Sequence, residues 1–428
     1  MKLEIIKEHE KLDDEIIKKL QNSSFLPKPN NEYLGVPNYL NIDKDYRASY
    51  FIGATWLSDD IALVVTPKVD NIDFIKIFEA ALEIRDEKAS EYFAKCYGVD
   101  VNAPFVETNA EFNMLTALLI LHYIHLLKRL VKKGLRKDYI TKTENLKTKV
   151  KGRILLSKNL QKNVWQKRDD RVMCVYSEYC VNTLENRLLK KALIVAKRNL
   201  HWAKANKHSA EINQLLSRFQ SVGDEIELNE IRHFRSHKIY KEYDDALRVA
   251  RMILRRFENV LSQKDNEQNK IPPFWIDMSR LYEMYVYSRL LGLSNMKNLE
   301  FQVNGHFGAA VDFVATIGDE KWIMDAKYKP RYDGSNSGIL ADIREISGYA
   351  RDTKILSALD ADENEVKCLI IHPEKITKAN NDEINEIIDE QTELNENIAD
   401  FAKNDSLARK FRNFYKLVIS LPTYCLKA

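Results

Sequence analysis

The spacing of apolar and polar positions changes character along the chain. Up to about residue 72 the apolar runs are short ("YLGVPNYLNI", "ASYFIGATWL", "IALVVTPKVD"), rich in aromatic and β-branched residues and punctuated by Gly, Pro, Asn and Asp. These features predict strands of a small N-terminal β-rich unit, residues 1–72. From Asp73 the period becomes 3.6, with Phe74, Ile77, Phe78, Ala81 and Leu82 on one face and Asp73 placed as a cap. The same period predicts helices over 109–131, 179–203, 209–222 and 243–262, so 73–262 reads as a mainly helical region. The polar run and Pro272-Pro273 of "SQKDNEQNKIPPFW" mark 263–274 as a linker. The block 275–428 then reads as helix 277–291, strands near 299–303, 310–316 and 322–328, helix 339–353, strand 368–372, an acidic helix 381–402 and a strand 415–420. The fold class is α+β and multidomain, closing with an α/β unit built around a hairpin.

A chain of 428 residues, 45% hydrophobic and 30% charged, has the composition of a globular protein with two or three cores. Its five cysteines are irregularly spaced, with no C-x-x-C pair, which argues against a disulfide framework and a zinc module and favours a reducing cytoplasm. "MKLEIIKEHEKLDDE" is too charged for a signal peptide, and the apolar run "MLTALLILHYIHLL" falls short of the ~18 residues of a spanning helix, so no membrane role is expected.

A net charge of +3 hides a lopsided distribution. Residues 126–171 hold 16 Lys/Arg against 4 Asp/Glu, and 357–404 hold 13 acidic against 4 basic residues. The basic stretch fits phosphates or an acidic partner as well as it fits a solvated helix face. Within it Lys149, Lys151 and Arg153 of "KTKVKGRI" alternate, as along one edge of a strand or extended loop. Asn182, Glu185, Asn186 and Arg187 stand at near-helical spacing and are read as structural caps and pairs. His122/His125 and His233/His237 have metal-compatible spacings but no third ligand, and are read as core or surface residues.

The stretch "AAVDFVATIGDEKWIMDAKYKPRYD" concentrates the candidate chemistry. Alternation puts Asp325 and Lys327 on one face of a strand, and a hairpin turning on Gly318-Asp319 sets Asp312 opposite Asp325. Opposed carboxylates are destabilising unless something offsets them, and a divalent cation does so. Mg²⁺ takes a few carboxylates, keeps several waters and accepts phosphate oxygens. Lys327 then stands where it could orient or deprotonate an attacking water, or balance charge on a phosphate. Other acidic-x-Lys triplets occur at 86–88, 319–321, 352–354 and 365–367, so the triplet singles out a site only through its apolar strand and the second Asp.

These residues resemble the PD-(D/E)xK (restriction-endonuclease-like) nucleases. "FWIDMSRLYEMYVYSRLL" carries Glu283 on the leading helix, "VDF" supplies Asp312, "DAK" supplies Asp325 and Lys327, and "DIREISGYA" is similar to the following helix, with Glu345 where many relatives have Gln four residues before a Tyr. The resemblance implies that Asp312, Asp325 and Glu283 ligate Mg²⁺, with Mn²⁺ as a substitute, and that Lys327 completes the catalytic set. Val311 stands in place of the proline of the name. More of the chain, 47–353, is similar to the McrC family, the nuclease subunit of McrBC restriction systems, through "YFIGATWLSDDIALVVTPKV", "KGRI", "CVYSEYCVNTLENRLLKKAL" and the nuclease block. That resemblance implies a partner, a hexameric McrB-like AAA+ GTPase docked on and stimulated by the 73–262 region through contacts such as Lys149, Lys151 and Arg153. It also implies double-stranded DNA, modified or of phage origin, as substrate. None of the 13 glycines precedes a Lys, so no P-loop is present in the chain itself. An adaptor that activates the ring without cutting is the competing reading.

Overall fold

The structure is a computed structural model that describes residues 2–22, 38–100, 103–107, 113–201, 205–226, 241–261, 270–329, 336–373, 399–400 and 411–423. The chain opens with β1 (Lys2–Lys7) and α1 (Asp14–Asn22), which the apolar runs do not predict. β2 (Phe51–Trp56) and β3 (Ile61–Thr66) form where the β-branched runs predict strands. Asn38–Asn41 instead makes a 3-10 turn, because Leu40 and Asn41 take φ of 53° and 56°, outside the strand region. α2 (Phe74–Glu83) buries the predicted face, and Asp73 caps it by accepting the Lys76 N–H at 3.2 Å. α3 (Glu87–Ala94), β4 (Tyr97–Val99) and β5 (Val106–Glu107) follow.

The next elements are α4 (Asn113–Lys133), β6 (Asp138–Lys147), β7 (Arg153–Ile154), α5 (Leu156–Asn159), β8 (Arg171–Cys180), α6 (Leu184–Arg198), α7 (Ser209–Arg218) and α8 (Lys241–Leu261). Three expectations change here. The region is not mainly helical throughout, since β6, β8 and β7 make an antiparallel sheet. The helix expected from 179 begins at Leu184, capped by Thr183, because Arg171–Cys180 pairs residue for residue with Asp138–Lys147. That pairing partner lies some thirty residues away, where helical spacing cannot register it. α4 is long and apolar enough by length and composition to cross a membrane, contrary to the expectation from its uninterrupted apolar run, yet most of that span is buried. Asn186 is fully buried and donates to the carbonyls of Arg136 and Val181, while Tyr243 Oη donates to its Oδ1 at 2.9 Å, the structural role its spacing indicates.

The remainder comprises β9 (Lys270–Ile271), β10 (Phe274–Asp277), α9 (Met278–Leu291), β11 (Met296–Asn304), β12 (Ala310–Ile317), β13 (Glu320–Ala326), α10 (Asn336–Tyr349), α11 (Thr353–Leu359), β14 (Val366–His372), β15 (Ala399–Asp400) and β16 (Phe414–Val418). Most of the expected acidic helix 381–402 lies outside the described residues, and its end, Ala399–Asp400, is a strand paired with Lys416 and Tyr415. Contacts divide the chain into two compact units, 1–111 with 266–428, and 112–265. The boundary expected at 72/73 and the separation of 1–72 from 275–428 are therefore replaced. β10 inserts antiparallel between β2 and β4, giving a five-stranded sheet β1-β3-β2-β10-β4, and α9 leaves it to pack on α2 and α3. A six-stranded sheet β11-β12-β13-β14-β16-β15 completes this unit, with Val303, Val311, Val314, Ile323 and Ile370 packed against α10 and α11.

Glu8, at the end of β1, is buried in this unit; its carboxylate accepts the Lys68 N–H at 2.9 Å and the Tyr328 hydroxyl at 3.2 Å. Burial pushes its pKa up to about 7, and burial beside Lys329 pulls Lys68 down to about 8. A carboxyl whose folded value exceeds its unfolded one contributes stability below about pH 4.5 that is lost as pH rises toward 7. Chemical denaturation between pH 5 and 7.5 is expected to show stability falling, with about 1–3 kcal/mol of the fall removed by Glu8→Gln. An unchanged slope in that variant would assign the fall to other groups.

Candidate active site

The hairpin forms in the predicted register: Ile317 faces Glu320, Val314 faces Ile323 and Phe313 faces Met324, with Gly318 at φ 63° in the two-residue turn. Continuing that register puts Asp312 beside Asp325 at the end where β12 begins and β13 ends. The ladder stops there because Asp312 Oδ2 itself accepts the Ala326 N–H at 2.8 Å. Beyond it, Lys327 N donates to Ile371 O, so β14 steadies the strand's exit.

Glu283 reaches this point from α9, a helix buried around most of its circumference. Tyr92 Oη of α3 donates to Glu283 Oε2. Gln302 Nε2 of β11 bridges, donating to Glu283 Oε2 at 3.3 Å and to Asp312 Oδ1 at 2.8 Å. On the other side Lys327 Nζ lies 2.7 Å from Asp325 Oδ2 and donates to Glu345 Oε2 at 2.9 Å, and Tyr349 Oη donates to Glu345 Oε1 at 3.1 Å. The structure thus brings together Glu283, Asp312, Asp325 and Lys327, the four residues singled out from sequence, and gives Glu345 of the following helix its contact with Lys327. Lys149, Lys151 and Arg153 belong to the second unit, exposed between β6 and the start of β8, with Lys151 Nζ 4.1 Å over the Tyr176 ring.

Glu283, Asp312 and Asp325 are 9%, 8% and 4% exposed. Burial, with added repulsion from Asp277 and Asp325, pushes Glu283 up to about 8, against the Tyr92 hydrogen bond. Burial and then the charges of Glu283 and Asp325 push Asp312 well up, and burial raises Asp325 against the pull of Lys327. Lys327 moves the other way: burial works against its charge, but Asp325 and Glu345 outweigh it and hold it as an ammonium. Of the roles open to it from sequence, proton abstraction is the one this environment disfavours.

The donor set can be tested against a divalent cation. Among the described residues buried Asp325 Oδ2 accepts no aligned hydrogen bond, its Lys327 contact being an ion pair. The site therefore holds an excess of buried, mutually repelling oxygen ligands, which suits a hard cation. Among the described residues no three His, Cys, Asp or Glu side chains converge as a ready-made cage. Gln302 occupies one oxygen each of Glu283 and Asp312, so the donors would fit Mg²⁺ as a carboxylate pair completed by water and phosphate.

Sequence reasoning missed Gln302 and Tyr92. Gln302 lies opposite Asp312 only because β11 slips register between Lys297 and Glu300 and Gln302 itself takes φ 52°. Tyr92 meets Glu283 across 191 residues, with no local signal. The Glu345–Tyr349 pair, one helical turn apart, was legible.

A family model described as McrBC 5-methylcytosine restriction system component matches residues 46–343. Among solved structures, the chain is similar to a refined half-complex from a tetradecameric assembly of Thermococcus gammatolerans McrB AAA+ hexamers with bound McrC, at 14% identity and TM-score 0.39, covering 100% of this chain and 96% of that one. It is also similar to a chain of the Thermococcus gammatolerans McrBC complex solved by cryo-EM, at 14% identity and TM-score 0.32, covering 68% of this chain and 87% of that one. No curated protein sequence matches.

Proposed function

The chain belongs to the McrBC 5-methylcytosine restriction system component family, and from that premise we propose that it is the Mg²⁺-dependent DNA endonuclease subunit of such a system, with a PD-(D/E)xK nuclease domain. The observation that carries this reading is the hairpin end where Asp312 and Asp325 meet, both buried, with Lys327 in contact and Glu283 tied in through Gln302. Asp312 and Asp325 would hold the cation, and Glu283 would ligate it or stand behind it. When bound, Mg²⁺ lowers the pKa of a coordinated water and neutralises charge on the phosphate.

The chain's own residues do the rest. Lys327, kept protonated, orients the attacking water and balances charge that develops on the scissile phosphate. Glu345 and Tyr349 fix the amine's position, so the Glu found where relatives carry Gln acts here by holding Lys327. Asp312 uses one oxygen to hold the end of β13, leaving its geometry set before substrate arrives.

We further propose that the 112–265 unit docks on and stimulates a hexameric McrB-like AAA+ GTPase. What supports this is the sheet of the second unit, where Tyr139, Val150, Leu156, Trp165 and Tyr179 are exposed beside Lys149, Lys151 and Arg153.

The test is cleavage of 5-methylcytosine-bearing and unmodified plasmid with Mg²⁺ and NTP, with and without the AAA+ protein. Cutting that needs the partner supports a gated nuclease. No cutting while the partner's hydrolysis is still stimulated favours the silent adaptor. A second check is independent of turnover: Mg²⁺ at ten times its Kd should stabilise the wild-type chain by about 1.4 kcal/mol, seen as a rise in Tm, and leave Asp325→Ala unmoved. Equal shifts in both would place the ion elsewhere.

A further inference from the structure

Between β11 and β12 the chain turns through Gly305, His306, Phe307 and Gly308, at the same end of the sheet as Asp312 and Asp325. Phe307 is 108% exposed, projecting into solvent more fully than in an extended chain. It also has φ 55° and ψ 27°, a left-handed conformation that a bulky residue adopts at a cost of about 1–2 kcal/mol. A scattered surface apolar residue is ordinary, but one held in strain with no burial to offset it is not.

The turn is braced to hold it there. Asp352, the N-cap of α11, accepts the His306 N–H and pairs with His306 Nδ1, each at 2.7 Å. Lys354 Nζ donates to Gly305 O at 3.4 Å. A Cβ at Gly305 would stand 2.5 Å from Asp352 Oδ2, so a side chain there would displace the carboxylate that braces the turn. His306 and Ala309 close the turn by a backbone hydrogen bond of 3.1 Å. The aromatic ring is therefore presented on a fixed arm, with the His306 ring centroid 6.4 Å from its own.

We infer that Phe307 is a wedge that inserts between bases of the DNA bound at the carboxylate site, unstacking one step there; this rests on the nuclease reading above. Apolar wedges kink duplexes by partial unstacking, and a planar face stacks on any base without regard to sequence. Phe307 and Asp312 are five positions apart, so at about 3.3 Å per residue their backbones lie within roughly 17 Å of one another, or about five base steps of 3.4 Å. A pre-set arm avoids the cost of ordering the ring on binding, which gives a reason to keep the strain.

The experiment uses the full chain with its AAA+ partner, made cleavage-silent by Asp325→Ala, and duplexes carrying 5-methylcytosine with 2-aminopurine placed in turn at each of the five steps on either side of the mapped cut. With Phe307 present, the fluorescence of one position is expected to rise as that base unstacks. Phe307→Ala should abolish the rise and weaken binding about 5- to 150-fold, the range of one lost base–aromatic stack, while Phe307→Trp restores both. Because the native φ is unfavourable, Phe307→Asn should melt no lower than the parent, whereas a packing role would lower it. An equal fluorescence rise in Phe307→Ala overturns the wedge while leaving the nuclease reading intact. Absence of DNA binding by every variant, the parent included, overturns both.

Discussion

Asp325→Ala is expected to lower DNA cleavage on the order of a thousandfold or more while leaving stimulation of the AAA+ partner's hydrolysis near that of wild type. Asp325 is 4% exposed, its Oδ2 has no aligned hydrogen bond, and it is the acidic group in contact with Lys327 at the hairpin end. Removing it takes away a proposed ligand and also leaves Lys327 tied to Glu345 alone, so the amine is both displaced and less compensated. The proposed docking residues lie in the 112–265 unit, which this change does not touch. Turnover of plasmid and of NTP, measured in the same reaction, separates the two. Loss of both together would sink the division of labour.

The second large effect is structural. Gly53→Ala is expected to destabilise the 1–111/266–428 unit by about 3 kcal/mol or more. Gly53 of β2 has φ 143°, and a Cβ there would stand 2.1 Å from the Phe274 carbonyl oxygen of β10, a backbone atom that cannot step aside alone. The pairing of Gly53 with Trp275 is what joins the early strands to the helix bearing Glu283, so cleavage should fall as well. Gly134→Ala is the control: its φ of 98° is also strained for alanine, but the space around it is open, and about 1 kcal/mol is expected. Denaturant midpoints for the two variants compare the terms. Equal costs would mean that β10 is not seated against β2.

Much of the hairpin was legible because its determinants are local. Gly318 and Asp319 are adjacent, alternation has a fixed period of two, and together they place Asp312 by Asp325 whatever the rest of the chain does. The capped helix at Asp73 and the Glu345–Tyr349 pair were legible for the same reason. β8 was not: "VYSEYC" carries no strong sign of whether it will pair, and the decision was made by Asp138–Lys147 across the intervening loop. The sequence by itself therefore determined the metal-compatible pair, Lys327 and the family, since each depends on residues close in the chain or on a motif in order. Only the tertiary structure decided that residues near 50, 97 and 275 share one sheet, that Gln302 bridges Glu283 to Asp312, and that Phe307 is held out in strain. Those outcomes depend on which distant backbones meet, and long-range pairing is selected by burial and hydrogen-bond satisfaction over the whole fold, which no short window contains.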